Sequence, residues 1–211
     1  MLEVDAIGVP RSRYEGRHEG KGTRGVRIFQ KDRQQVLQAH LYILNNTDDA
    51  HPYIQEHKML LKTMNPRANE KWLFNEHNNT FLKWFKQIVL EKDCDVDELK
   101  WLARGPNFDV ITWSRYDINK FSFYSSVTLE AKSMHFASSK DNNPVMATIG
   151  YFGVIKEIWE VDYVKFRVSV FKCKWVDCNI GVHVDDLGFT LVDLTKIGSK
   201  ADPFIMAYQA K

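Results

Sequence analysis

The sequence predicts an α+β protein: a disordered N-terminal arm, a helical unit of three to four helices, then a small antiparallel β-barrel or sandwich. Three observations carry this. The chain is 44% hydrophobic and 13% aromatic, ample for a packed core. From Lys31 to about residue 105 apolar residues recur at three- and four-residue intervals. After Pro106 the pattern shortens to β-branched and aromatic runs broken by Asp and Gly. A length of 211 residues fits two small domains, and the expected divisions are 1–30 arm, 31–105 helical domain, 106–143 β-rich linker and 144–211 small β-domain.

Residues 1–30 hold five of the eleven glycines, four of them within "RSRYEGRHEGKGTRG", and have few apolar side chains to bury, which is the composition of a solvated arm. The first helix follows from Val36, Leu37, His40, Leu41 and Leu44, with "NNTDD" at 45–49 as both stop and next cap. Pro52 falls in the first turn of a second helix, where its missing N–H costs little. Ile54, His57, Leu60 and Leu61 make its inner stripe. Asn65 and Pro66 repeat the start signal, and His77, Phe81, Trp84, Phe85 and Ile88 continue at helical spacing after an expected weak point at "NEHNN". Asp95 with Glu98 forms a capping box for a short fourth helix that stops at Gly105. Beyond it, "FDVITW" and "YDINKFSFYS" read as strands, "SSKDNNPV" at 138–145 as a turn, and "GVHVDD" and "GFTLVDL" as hairpin strands.

Charge narrows the partners. The net excess of two positive charges sits in the arm, where residues 1–30 hold six basic and four acidic residues; the later segments balance. A dedicated nucleic-acid binder usually carries a basic domain or stripe. No apolar stretch approaches the roughly 20 residues of a membrane span, so no membrane partner is expected. Three cysteines (Cys94, Cys173 and Cys178) without a secretory leader suggest an intracellular, reducing compartment.

Chemistry-bearing constellations are sparse. Cys173, Cys178 and His183 have a C-x4-C-x4-H spacing, yet no fourth Cys or His follows; only Asp185 or Asp186 could complete a mixed zinc site. Asp177, Asp185, Asp186 and Asp193 are carboxylates at strand ends, where turn residues also sit. Tyr151, Phe152, Trp159, Tyr163, Phe166 and Trp175 could line a cage or a base-stacking surface but are expected as core. His40, His57 and His77 lie on apolar helical stripes and are expected to be buried and hydrogen-bonded, with no i, i+4 pair among them. "GKGTRG" at 20–25 has neither a strand before it nor a helix after it, and no catalytic signature occurs elsewhere. No cofactor is expected.

"VKFRVSVFKCKWVD", residues 164–177, slips phase: Val164, Phe166, Val168 and Val170 alternate, and then Phe171, Cys173 and Trp175 do. A bulge at Val170 and Phe171 that bends the strand around a barrel corner is the expected cause, and it turns Cys173 inward as a small hydrophobe.

"AHLYILNNTDDAHPYIQEHKMLL", "ANEKWLFNEHNNTFLKWF", "LKWLARGPNFDVITWSRYDINKFSFYS", "YFGVIKEIWEVDYVKFRVSVFKCKWVD" and "GFTLVDLTKIGSKADPFIMAYQAK" together resemble the C-terminal region of plant CACTA (En/Spm-like) transposon-encoded transposase proteins. That region joins the tail of one domain of unknown function to a second. The resemblance spans about 39–211 and implies a transposon-derived chain without the presumed strand-cutting domain, which in such proteins lies upstream. It also implies a nuclear setting. Cys178 and His183 stand where variable polar or basic residues are expected. Similar sequences continue past "QAK" into a "QVFYV"-like strand, so the β-domain is expected to expose an edge.

The resulting expectation is a non-catalytic accessory or interaction module that binds a protein or chromatin partner. The alternative is a DNA-binding accessory domain in which the arm, Lys165, Arg167, Lys172 and Lys174 touch phosphates. A metal-dependent hydrolase ranks last.

Overall fold

The computed structural model describes residues 27–91, 96–114, 126–135, 145–198 and 202–210. The arm to residue 26, Cys94, the expected "YDINKFSFYS" strand and most of the 138–145 turn lie outside the described residues.

Four helices form one layer. Helix α1 (Arg33–Asn45) starts where the Asp32 carboxylate accepts the Gln34 amide at 3.2 Å, and buries Val36, Ala39, His40, Ile43 and Leu44. A 3-10 turn at Asp48–Ala50 leads into α2 (His51–Met64), with Pro52 in its first turn as expected. Its buried stripe is Ile54, His57 and Leu61; Leu60 points to water instead, one step off the 3.6-residue face.

Asn65 and Pro66 do not open a helix. Asn65 closes α2, and α3 (Glu70–Glu91) begins behind Asn69, whose side chain accepts the Trp72 amide at 2.8 Å. The expected weak point at "NEHNN" is absent: α3 runs unbroken through 22 residues because His77 and Phe81 are buried in mid-helix and hold that turn. Helix α4 (Asp97–Arg104) ends at Gly105, whose φ of 89° is the left-handed conformation that glycine adopts without strain.

The sheet is antiparallel throughout. Strands β1 (Arg27–Gln30), β2 (Asp109–Ser114), β3 (Ser126–His135), β4 (Val145–Asp162), β5 (Arg167–Trp175) and β8 (Phe204–Met206) run in the order β1-β2-β4-β5-β8, with β3 also paired to β4. Eighteen residues let β4 serve three neighbours, β3 through its first half, β2 through its second and β5 on the opposite side. The sheet curls as a half-barrel and stays open between β1 and β8. Residues 27–30, the last of the segment expected as arm, are its first strand, since β1 pairs Arg27 to Gln30 against β2. Strands β6 (Val182–Val184) and β7 (Thr190–Val192) form a separate two-stranded sheet.

Two cores lie on opposite faces of the sheet. The first joins helices to sheet, with Val36, Phe81, Phe85 and Leu102 meeting Trp159, Val161, Tyr163, Val170 and Phe204. The second gathers Val127, Cys173, Trp175 and Ile205.

This arrangement corrects the expected bulge. Along β5 the side chains alternate without interruption: Val168, Val170 and Lys172 face the helices, while Phe171, Cys173 and Trp175 face the second core. Pairing with β8 runs Val170 to Met206, Phe171 to Ile205 and Lys172 to Phe204 with no inserted residue. The phase slip records a change in which face is buried. The bulge belongs to β4, where Ile155 pairs with Cys173 but Glu157 with Lys172, leaving Lys156 as the extra residue. Tyr151 and Ile155 accordingly face the second core, whereas Trp159 and Val161, of the same parity, face the first. Val164 is not in a strand at all; it sits in the β4–β5 turn at φ 72°, with its amide on the Asp162 carboxylate at 2.7 Å.

The edge at β8, expected to be open, is capped from within. The Asp202 carboxylate takes a hydrogen bond from the Phe204 backbone. Gln209 Oε1 accepts the Met206 amide at 3.2 Å, and the Gln209 amide donates to the Met206 carbonyl at 3.0 Å. Gln209 is itself pinned to α1 by the Tyr42 hydroxyl at 2.9 Å and the Asn46 side chain at 2.8 Å.

Candidate interaction surface

Between β5 and β8 the chain leaves the sheet and builds a lobe from β6, β7 and their connections. Backbone bonds fasten its base: Asp177 N to Lys196 O at 2.9 Å, Gly181 N to Asp177 O at 2.8 Å, Asp193 N to Gly181 O at 2.8 Å and Gly198 N to Trp175 O at 3.0 Å. Glycine is required at 181, because a Cβ there would lie 2.4 Å from the Val176 side chain. At the tip, Asp185 Oδ1 accepts the amides of Leu187 and Phe189 at 2.9 and 2.8 Å, and Gly188 takes a φ of 84°. Asp177 and Asp193 cap the other turns through the amides of Asn179 and Thr195, both at 2.9 Å. The Thr195 hydroxyl and amide hold the Asp193 carboxyl below its usual range. Three of the four candidate carboxylates thus serve as turn caps.

What this rigid lobe presents is apolar. Leu187 is 82% exposed, Val184 65% and Phe189 64%, with Ile180, Leu191 and Leu194 also open to solvent. Full burial of one such side chain is worth about 1.5–3 kcal/mol, so the lobe leaves unused a stabilisation that the chain does not itself recover. Scattered exposed apolar residues are ordinary, but several within one hydrogen-bonded lobe make it a candidate contact surface.

The three candidate zinc ligands do not converge. Cys173 is buried in the second core, where desolvation pushes its thiol up to about 12. The half-buried Cys178 donates its thiol proton to the Gly150 carbonyl at 3.3 Å, and burial followed by the Asp177 charge raises its pKa. His183 is exposed on β6. Among the described residues no three His, Cys, Asp or Glu side chains are grouped to hold a metal ion.

The four basic candidates do not share one surface: Lys172 and Lys174 lie on one face of β5 and Arg167 on the other. Lys165 is exposed in the β4–β5 turn. Arg167 lies 3.6 Å from Asp162 and 3.9 Å from Glu160. Lys172 faces the helices, 2.8 Å from Gln35 Oε1 and 3.4 Å from Glu157, and Lys174 reaches the Leu194 carbonyl at 3.4 Å. The aromatic candidates divide between the cores: Trp159 and Tyr163 are fully buried in the first, Phe166 stacks on Tyr163, and Tyr151 meets Trp175 edge-on in the second.

Two clusters escaped the sequence reading. Glu157 binds Lys31 at 2.6 Å, Lys172 at 3.4 Å and the Trp159 indole N–H at 2.9 Å, beside the bulge. Burial raises its carboxyl, but the Lys31 and Trp159 hydrogen bonds and the two lysine charges outweigh it and leave the pKa lowered.

The second cluster joins His57 Nδ1 to His77 Nδ1 at 2.9 Å across α2 and α3, 20 residues apart. The partners fix the tautomers. The Thr80 hydroxyl donates to the Glu76 carbonyl at 2.6 Å, so it accepts from His57 Nε2–H at 3.4 Å. His57 Nδ1 is then an acceptor, His77 Nδ1–H the donor, and His77 Nε2 is a buried lone pair with no partner among the described residues. Burial lowers the pKa of both rings, and that of His77 reaches about 3 with help from the Lys58 and His57 charges. Helical periodicity marked each histidine as buried; nothing in spacing reports a contact between helices.

The fold and its surface define an α+β chain that carries an exposed apolar lobe. Residues 159–211, from the last residues of β4 through the lobe and β8, match the model of a family described as Domain of unknown function (DUF4216). No curated protein matches the chain, and neither does any solved structure. No helix among the described residues is long and apolar enough to cross a membrane.

Proposed function

We propose that this chain is a non-catalytic interaction module of a transposon-derived protein, and that its 176–198 lobe docks a protein or chromatin partner in the nucleus. The observation that carries the reading is the exposed apolar tip held rigid by Asp185, with Leu187 82% in water. The match over 159–211 includes the whole lobe, and the resemblance to CACTA-type sequences supplies the transposon context. A preformed surface binds without an ordering cost, which suits recognition more than chemistry.

Photo-crosslinking tests this. A benzophenone side chain at Val184, exposed on β6 beside the tip, should give protein adducts in nuclear extract. Excess unlabelled chain should compete them away, whereas excess Leu187→Asp should not. Equal competition by both removes the lobe from the proposal.

A further inference from the structure

We infer that the occupant of the lobe is the α2–α3 turn of a second copy of this chain, joined head to tail. This rests on the lobe being a docking surface and names its partner. The turn offers a recess: Met64, Pro66, Arg67 and Trp72 line an open hollow of about 550 Å³ between the end of α2 and the start of α3. Met64 is 69% exposed, and Trp72 across the hollow is partly exposed as well. Methionine beside an aromatic ring is an adaptable lining for an aliphatic or aromatic knob.

Charge matches as well. From Asp177 to Gly198 the charged residues are four aspartates and one lysine, whereas from His51 to Trp72 they are Lys58, Lys62, Arg67 and Lys71 against Glu56 and Glu70. An acidic apolar knob therefore faces a basic apolar hollow, with Asp186 at the tip and Arg67 at the rim. The two patches belong to different elements, so the contact is heterologous, and after the first contact the pair keeps one free lobe on one copy and one free hollow on the other.

Sedimentation velocity across a concentration series of the whole chain reads this out. The wild type should gain mass with concentration, less so as salt rises. Leu187→Asp (lobe disabled) and Met64→Asp (hollow disabled) alter exposed side chains, so circular dichroism should be unchanged. Each alone should weaken association by about tenfold or more. Mixed in equal amounts, the two variants should recover affinity, because one supplies a hollow and the other a lobe, and the mass should stop at two chains. A wild type that stays monomeric throughout, or a mixture no tighter than either variant, overturns the head-to-tail contact. Lobe-dependent adducts with a different protein beside a monomeric chain overturn this inference and leave the docking role standing; no adducts and no self-association overturn both.

Discussion

Acid should unfold this protein through its buried histidines, and His40 gives the magnitude. Its ring lies in the first core, with Nδ1 2.8 Å from the Tyr163 hydroxyl, and burial lowers its pKa from 6.5 to about 3. The unfolded chain takes up a proton that the folded chain refuses, so stability is complete above the unfolded pKa and falls as pH drops below it, until the folded pKa is reached. At about pH 5 the linkage relation gives a loss of about 2 kcal/mol from this one side chain, a large part of a typical domain's margin. Burial also lowers His57 and His77, which add to the fall in the same direction. Urea unfolding between about pH 7.5 and 5 measures it, in a window where most carboxylates stay ionised. His40→Asn keeps a hydrogen-bonding atom near Tyr163 but cannot titrate, so its stability should fall by about 2 kcal/mol less than that of the wild type over that window. Parallel curves for the two proteins would refute the argument.

Val164 holds a β-branched side chain at φ 72° in an exposed turn, so Val164→Gly should relieve strain and raise unfolding free energy by about 1 kcal/mol in urea titration; no gain would show the turn to be unstrained. Cys178 should react with a thiol reagent in the native state, and Cys173 only on unfolding, because burial pushes its thiol up to about 12; native labelling of Cys173 would contradict the second core. Lys172→Ala removes one of the cations on Glu157 and should lower stability by about 1 kcal/mol in thermal or urea melts. The same variant decides the DNA-binding alternative: unchanged stability with weaker, less salt-dependent binding to duplex DNA would make Lys172 a phosphate contact.

The helices were legible wherever one side chain decides a boundary. Pro52 and Gly105 did so, and the stripe through Val36, His40 and Leu44 named the right face of α1. Asn65 and Pro66 close α2 and make a turn instead of opening a helix, and it is the Asn69 side-chain oxygen downstream that accepts an amide at the start of α3. The bulge was misplaced for a geometric reason. A strand that swaps its buried face shows a slip in sequence, as β5 does, while a bulge restores parity and hides itself, as Lys156 does in β4. Burial of Cys173 was legible all the same, since both routes turn it inward. The lobe was readable as two hairpin strands but not as a surface, because whether Leu187 and Phe189 meet a covering layer is a property of the whole fold.

The capped rim at β8 sets the grammar of any assembly this chain enters. Asp202 and Gln209 occupy the backbone groups through which another strand could be added there, and α1 anchors the second of them. Copies crowded together find no ladder to lengthen at that margin. Association at that margin is left to side chains, which single substitutions can switch off.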